Sequence, residues 1–252
     1  TYKEIRGVNI QSLDSDPTAV EGEVWYNAST SKLKMYSSVG AWATGGNLNT
    51  AKRYGSTAGT QTAGVYFGGS PGSTIAEETE EYDGSSWTAS GDLNTGRATA
   101  GGTGIQTAAL CIGSYPAGAI VESYNGTSWT EIGDLTGGRH NLSSAGTTTA
   151  ALAFGGENAT AILAISEEWD GSSWTEGSDM NTGKYASAGA GTQTSALSMT
   201  GDDPPGARTA NVESYNGSSW TEVGNVNSAR YALAGDGASN TSAIIAGGID
   251  TA

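Results

Sequence analysis

Apolar residues in this chain come in short runs, and no stretch of useful length carries the three-to-four spacing of an amphipathic helix. One kind of run is continuously apolar, as in Thr149-Ala150-Ala151-Leu152-Ala153-Phe154, and reads as a strand buried on both faces. A second kind alternates, as in Ile120-Val121-Glu122-Ser123-Tyr124, and reads as a half-buried strand. A third is made of small residues, as in Ala98-Thr99-Ala100-Gly101-Gly102 or Ala186-Ser187-Ala188-Gly189-Ala190, and suits a position where strands converge and space runs out. A tight Asp-Gly or Asn-Gly turn follows each alternating run and leads to a tryptophan. That turn is a strong hairpin signal, and the tryptophan is a large anchor for an outer strand.

These runs recur in a fixed order. Tyr82-Asp83-Gly84-Ser85-Ser86-Trp87-Thr88 returns at Tyr124–Thr130, Trp169–Thr175 and Tyr215–Thr221, with a looser copy from Tyr36 to Trp42. The tryptophans Trp42, Trp87, Trp129, Trp174 and Trp220 stand 45, 42, 45 and 46 residues apart. Six residues after each lies an apolar residue (Leu48, Leu93, Leu135, Met180, Val226), and four further a basic one (Lys52, Arg97, Arg139, Lys184, Arg230). Such a period marks an array whose units bury a core only against their neighbours. Five units of four short strands predict an all-β, five-bladed β-propeller. The last unit stops after two strands, so the stretch 32–44 is expected to supply its third and fourth, closing one blade from both termini and removing open sheet edges. Alternatively, Gly22 to Asn27 joins that blade and the C-terminal pair packs elsewhere. Gly22 to Asn27 and Lys32 to Tyr36 read as two strands around a polar turn, Ala28 to Ser31. Residues 1–22 show no repeat and read as an attachment arm, with the propeller spanning 23–252.

Composition changes this picture little. The chain has 252 residues, 39 of them Gly, and a net charge of −15. An acidic surface repels phosphates and anionic membranes, which argues against nucleic acid as a partner. No long apolar run predicts a membrane span. The single cysteine, Cys111, lies in an apolar strand and reads as a buried thiol.

A glycine pair ending an apolar strand, then Glu-x-aromatic, then Trp, then a basic residue ten positions on, resembles the kelch repeat. In one unit these are Gly155-Gly156, Glu167, Trp169, Trp174 and Lys184. The resemblance covers roughly residues 32–248 and implies a kelch propeller, a scaffold that serves many roles. Ser114 and Thr200 break the glycine pair, Trp169 replaces Tyr, and Lys34 stands where the unit acid (Glu80, Glu122, Glu167, Glu213) belongs. The lead-in Gly22-Glu23-Val24-Trp25-Tyr26-Asn27 with Leu33-Lys34 is similar to segments of bacteriophage virion proteins, especially tail-fibre-like proteins of marine phages. That likeness implies a virion location.

Candidate chemistry is sparse. His140 is the only histidine, and no Gly-x-Ser-x-Gly motif frames a nucleophile for it, so it reads as a surface or channel-mouth residue. One histidine cannot supply the ligands of a kelch-type copper oxidase. Asp83-Gly84-Ser85-Ser86-Trp87 compares with the Asp-box of sialidase propellers but is one residue short, and its arginines lie in different units; a hairpin turn is the better reading. Glycoside hydrolysis needs two facing carboxylates, which sequence spacing cannot test. The run Glu77-Glu78-Thr79-Glu80-Glu81 reads as a solvated outer edge, with a weak Ca²⁺ site as the rival. The repeated basic residue and the repeated glutamate are expected to pair across each sheet. No catalytic residue, cofactor or metal is assigned.

Length varies only in the loops that follow the glycine step: 70–74, 115–118, 157–160 and 202–208. All leave the same strand end and gather on one face, where recognition on a rigid scaffold usually resides. The candidate ligand-binding residues are therefore Tyr115, Asn158, Asp202, Asp203 and Arg208. The expectation is a non-enzymatic virion module (fibre, spike or decoration) that binds a host-surface glycan or another virion protein, with homo-oligomerisation left open. The alternatives are a spacer or cement propeller without a ligand, and a carbohydrate-active enzyme.

Overall fold

The computed structural model describes residues 11–18, 24–35, 44–116 and 118–250. No helix occurs among them, so none is long and apolar enough to cross a membrane. The chain divides into two compact units, Thr1–Thr44 and Gly45–Ala252, a boundary later than the expected one after residue 22.

The described part of the first unit is a three-stranded sheet. Strand β1 (Gln11–Leu13) runs parallel to β2 (Val24–Asn27), which pairs antiparallel with β3 (Lys32–Met35) around the expected turn. Asp16 organises it. Its carboxylate accepts from Trp25 Nε1 (3.1 Å), Asn27 Nδ2 (2.7 Å) and Lys34 Nζ (2.7 Å). This gives Lys34 a partner within its own sheet, which is why a lysine stands where the repeat carries glutamate. The expected closure needs correcting here. Lys32–Met35 is hydrogen-bonded to β2 and, among the described residues, makes no third strand for the C-terminal pair. Tyr36 and Trp42, the rest of the expected closing strands, lie outside the described residues.

The second unit repeats one antiparallel sheet. Sheet I is β4 (Ser56–Thr60), β5 (Ala63–Phe67), β6 (Thr79–Tyr82) and β7 (Trp87–Ala89). Sheet II is β8 (Gly101–Ile105), β9 (Ala108–Ser114), β10 (Gly118–Tyr124) and β11 (Trp129–Glu131). Sheet III is β12 (Ser143–Gly146), β13 (Ala151–Phe154), β14 (Ser166–Trp169) and β15 (Trp174–Glu176). Sheet IV is β16 (Ala188–Thr192), β17 (Ser195–Met199), β20 (Val212–Tyr215) and β21 (Trp220–Val223), with a small hairpin, β18 (Asp202–Asp203) and β19 (Ala207–Arg208), between its second and third strands. Sheet V has two strands, β22 (Arg230–Ser239) and β23 (Ser242–Asp250).

The small-residue strands β4, β8, β12, β16 and β22 lie side by side in that order. Leu110, Ile112, Leu152 and Phe154 of the second strands are fully buried between neighbouring sheets. The tryptophans tie sheet to sheet: Trp129 Nε1 donates to Thr79 Oγ1 of sheet I, and Trp220 Nε1 to Ser166 Oγ of sheet III, both at 2.9 Å. Trp174 meets Val121 at the equivalent place, and its buried Nε1 has no partner among the described residues.

The repeated charges are buried rather than solvated. Arg97 pairs with Glu122, Arg139 with Glu167, and Lys184 with Glu213 (3.3 Å), all with side chains wholly buried; Lys52 lies 3.8 Å from Glu80. Each such basic residue in sheets II to IV bridges two sheets. The Arg139 carbonyl accepts from Ser114 N–H of sheet II while its guanidinium reaches Glu167 of sheet III. This also corrects part of the reading of the 77–81 run as a solvated edge: Glu77 and Glu78 are exposed, but the second half of the run is not. Glu80 is buried against Lys52 and Asn49, and Glu81 accepts from Tyr124 OH at 2.5 Å.

Candidate functional site: the variable-loop face

In sheets II and IV the inner strand starts three and two residues later than its small-residue run suggests. A left-handed residue stands two positions after each basic one: Tyr54, Thr99, Asn141, Ala186 and Ala232, with φ of 62°, 57°, 53°, 51° and 53°. These five residues are linked in series. Thr99 N–H donates to the Tyr54 carbonyl, Asn141 to Thr99, Ala186 to Asn141, and Ala232 to Ala186, at 2.8 to 2.9 Å. Beneath this belt the following residues of all five strands line one cavity of about 230 Å³, walled by Ser56, Ser143, Ser144 and Ser187 among backbone and small side chains. Several of these hydroxyls are spent between strands: Ser56 Oγ donates to Ala100 O (2.7 Å), and Ser144 Oγ to Gly102 O (3.0 Å).

The residue before each belt position pairs with the first residue of a variable loop. Arg53 bridges Ser70, Ala98 bridges Tyr115, His140 bridges Glu157 and Tyr185 bridges Asp202, while Tyr231 pairs with Ile249 inside sheet V. The four variable loops therefore leave one rim, as the sequence predicts. The glycine step makes this approach possible. In sheet III a Cβ on Gly155 or Gly156 would come within 2.5 Å of Lys184 O or 2.7 Å of His140 O. Sheet IV tolerates Thr200 at this step in a left-handed conformation (φ 60°), a cost the surrounding structure must hold.

The structure separates the predicted site residues by role. Tyr115 is 57% exposed, with its ring edge-on to His140 at 5.7 Å. Asn158 serves its own loop; its Oδ1 accepts from Thr160 N–H (2.9 Å) and Ala161 N–H (3.0 Å). Asp202 is buried and accepts from Tyr185 OH at 3.0 Å; burial, helped by this bond, pushes the Tyr185 phenol up to about 12. Asp202 is also paired across the small hairpin with Arg208, as Asp203 is with Ala207. Arg208 reaches over the Tyr231 ring (4.9 Å) and donates to Asp250 O. Asp202, Asp203 and Arg208 are thus together on sheet IV, while Tyr115 and Asn158 belong to the rims of sheets II and III.

Sequence reading missed the rim residues on the strand side, Arg53, Tyr54, Asn141, Tyr185 and Tyr231, and Glu157 at the start of the 157–160 loop. Tyr54 stands out, being 56% exposed and left-handed, with only the Arg53 guanidinium (5.1 Å) over its ring. The left-handed conformation is shared by all five belt positions and belongs to the belt; the exposed ring is what sets Tyr54 apart. Asn141 Nδ2 donates to Glu157 Oε1 at 2.8 Å, and His140 Nδ1 lies 3.6 Å from the same oxygen. The position after each basic residue does differ in kind from unit to unit (Arg53, Ala98, His140, Tyr185, Tyr231), as do the two positions that follow it. Among the described residues no group of three or more His, Cys, Asp or Glu side chains is arranged to hold a metal ion.

A solved structure titled "Structure of YjhT" is similar to this chain, with a TM-score of 0.64 and 18% identity, covering 79% of this chain and 73% of that one. The architecture is β-propeller-like. No family model matches the sequence, and no curated protein matches it.

Proposed function

We propose that this chain is a non-enzymatic propeller of five kelch-like blades from a bacteriophage virion appendage, and that its variable-loop face binds a host-surface glycan. The observation that carries the reading is the rim itself. Exposed Tyr54 and Tyr115, with Asn141, Glu157, Asp202 and Arg208, come from four sheets onto one face around one cavity. Exposed rings that offer an apolar face, set among hydrogen-bonding groups, suit the faces and hydroxyls of sugars. The blade count is supported by five inner strands that line one cavity and share one hydrogen-bonded belt. Residues 1–22 then attach the module to other virion proteins.

The test is a glycan-array screen of the purified chain, with and without Ca²⁺. It runs beside a variant whose 202–208 loop is replaced by Gly-Ser and a Tyr54→Ala/Tyr115→Ala variant. Specific binding by the parent, lost in either variant while folding is retained, supports the reading. No binding by the parent in any condition removes the glycan and leaves a virion spacer without a ligand.

A further inference from the structure

The four buried ion pairs are not equivalent. In sheets II and III the base is arginine, and its surroundings are apolar: Cys111 and Ile120 beside Arg97, Ala153 and Ile165 beside Arg139. There the guanidinium finds most of its own partners, with only Arg139 Nε left without one among the described residues. Arg97 donates to Thr95 O, Ile120 O and Glu122, and Arg139 to Ala153 O and Glu167. In sheet I the base is Lys52, and larger side chains fill the space, while Lys52 Nζ and Tyr66 OH are themselves buried without a hydrogen-bond partner among the described residues. Tyr66 stands at the Cys111 position with its ring 6.0 Å from Lys52 Nζ, and Glu78 stands at the Ile120 position with a carboxylate oxygen 3.5 Å away.

Sheet IV alone combines a lysine with small or short polar neighbours. Ser198 holds the Cys111 position, Asn211 the Ile120 position, and Thr200 replaces the first glycine of the step. Lys184, Ser198, Thr200 and Glu213 are all fully buried. Ser198 is the cross-strand partner of Glu213, so both point to the face where Lys184 ends. Thr200 N–H and Lys184 Nζ both donate to the Asn211 carbonyl, at 3.0 and 3.4 Å, which places those three residues together. Lys184 Nζ has three donors, and its contacts to Glu213 and Asn211 are long, 3.3 and 3.4 Å. Ser198 Oγ, Thr200 Oγ1 and Asn211 Oδ1 are buried and have no partner among the described residues. Buried polar atoms left unpaired are costly, and so many around one lysine ask for a common partner.

We propose that the core of sheet IV is a built-in hydration site, where water held by Lys184 Nζ and Ser198 Oγ, with Thr200 and Asn211 alongside, takes the place of the guanidinium group of sheets II and III. Such a site has the several polar partners that an internal water requires. It lies under the longest variable loop, because Thr200 and Asn211 flank the 202–208 hairpin and close its base. Sheet IV thus joins its recognition loop to a solvated core, whereas sheets II and III anchor theirs on a guanidinium.

The sign of one substitution tests this. With water bound, Ser198→Ala removes one of its partners and lowers the melting temperature by about 2–4 °C, the shift that follows from one lost hydrogen bond in a chain of this size. If the pocket is dry, the same change removes an unpaired hydroxyl and raises the melting temperature, which overturns the proposal. A crystal structure of the unaltered chain supplies the second reading. Ordered water within hydrogen-bond distance of both Ser198 Oγ and Lys184 Nζ supports the site; a direct Ser198–Lys184 contact with no water overturns it. Lys184→Arg/Ser198→Ala/Asn211→Ile rebuilds the sheet III arrangement and is expected to expel the water.

Discussion

Arg139→Ala isolates the strongest claim about what holds the sheets together. The Arg139 side chain is fully buried and, among the described residues, carries the only base against buried Glu167, whose other oxygen accepts from Thr136 N–H at 2.8 Å. Removing the guanidinium leaves that carboxylate buried without its counter-ion and frees Ala153 O as well. Breaking one partner of a buried pair costs about 3–5 kcal/mol, although the intact pair adds far less over an apolar replacement. At roughly 2–4 °C per kcal/mol for a domain of this size, the expected loss is roughly 6–20 °C in melting temperature. Arg230→Ala is the internal control at the same repeat position. Among the described residues its guanidinium makes one hydrogen bond, to Gly247 O at 2.9 Å, and the described part of sheet V has no third strand bearing a glutamate. Its loss should cost about 1 kcal/mol. Arg139→Lys should fall between, since it keeps the charge while Ala153 and Ile165 give it none of the polar support that Lys52 draws from Glu78. Urea unfolding followed by tryptophan fluorescence reads all three. Equal shifts for Arg139→Ala and Arg230→Ala, or an Arg139→Ala shift below about 1 kcal/mol, would refute the view that these pairs clamp neighbouring sheets.

Three further outcomes follow from individual side chains. Val121→Thr should stabilise the chain by about 1 kcal/mol, because it offers Trp174 Nε1 the hydroxyl that Thr79 and Ser166 give Trp129 and Trp220, whereas Thr79→Val should destabilise it by a similar amount; chemical denaturation of both variants checks the opposite signs. The Asp83 carboxylate accepts from Ser86 N–H, Ser85 Oγ and Ser85 N–H, and these bonds hold it down at about 2 from an ordinary 3.8. The support it gives the hairpin is therefore full above about pH 4 and is lost as pH falls through about 2. Ser85 amide exchange should rise over that window and become insensitive to it in Asp83→Asn, which copies the Asn125 and Asn216 turns. Burial pushes the Cys111 thiol up to about 12, so a thiol reagent at neutral pH should label it only after unfolding; rapid labelling of the native chain would contradict the buried position.

How much of this could be read from sequence depends on whether a residue's role is local or depends on its neighbours. The Asp-Gly and Asn-Gly hairpins and the continuous apolar runs were legible because turn chemistry and burial act within one sheet. Pairing of Arg97, Arg139 and Lys184 with glutamates was legible as co-occurrence, but their complete burial was not, since that comes from the next sheet. Inner-strand starts were placed too early because Thr99 and Ala186 carry no glycine to announce a left-handed turn; the belt of bonds between sheets imposes it. The same belt explains the incomplete list of site residues. Loop-length variation pointed to Tyr115 and Asp202, yet each is bridged to a residue of fixed spacing, Ala98 or Tyr185, and that register gave no variation in length to notice. Lys34 was read as a defect in the repeat because its partner, Asp16, lies in the segment taken for an arm. In a repeat protein the informative departures are therefore of two kinds. Some, like Lys34, mark a residue that belongs to another sheet. Others, like Ser198 and Thr200 around Lys184, change together within one unit and mark a place where that unit has solved the same packing problem differently.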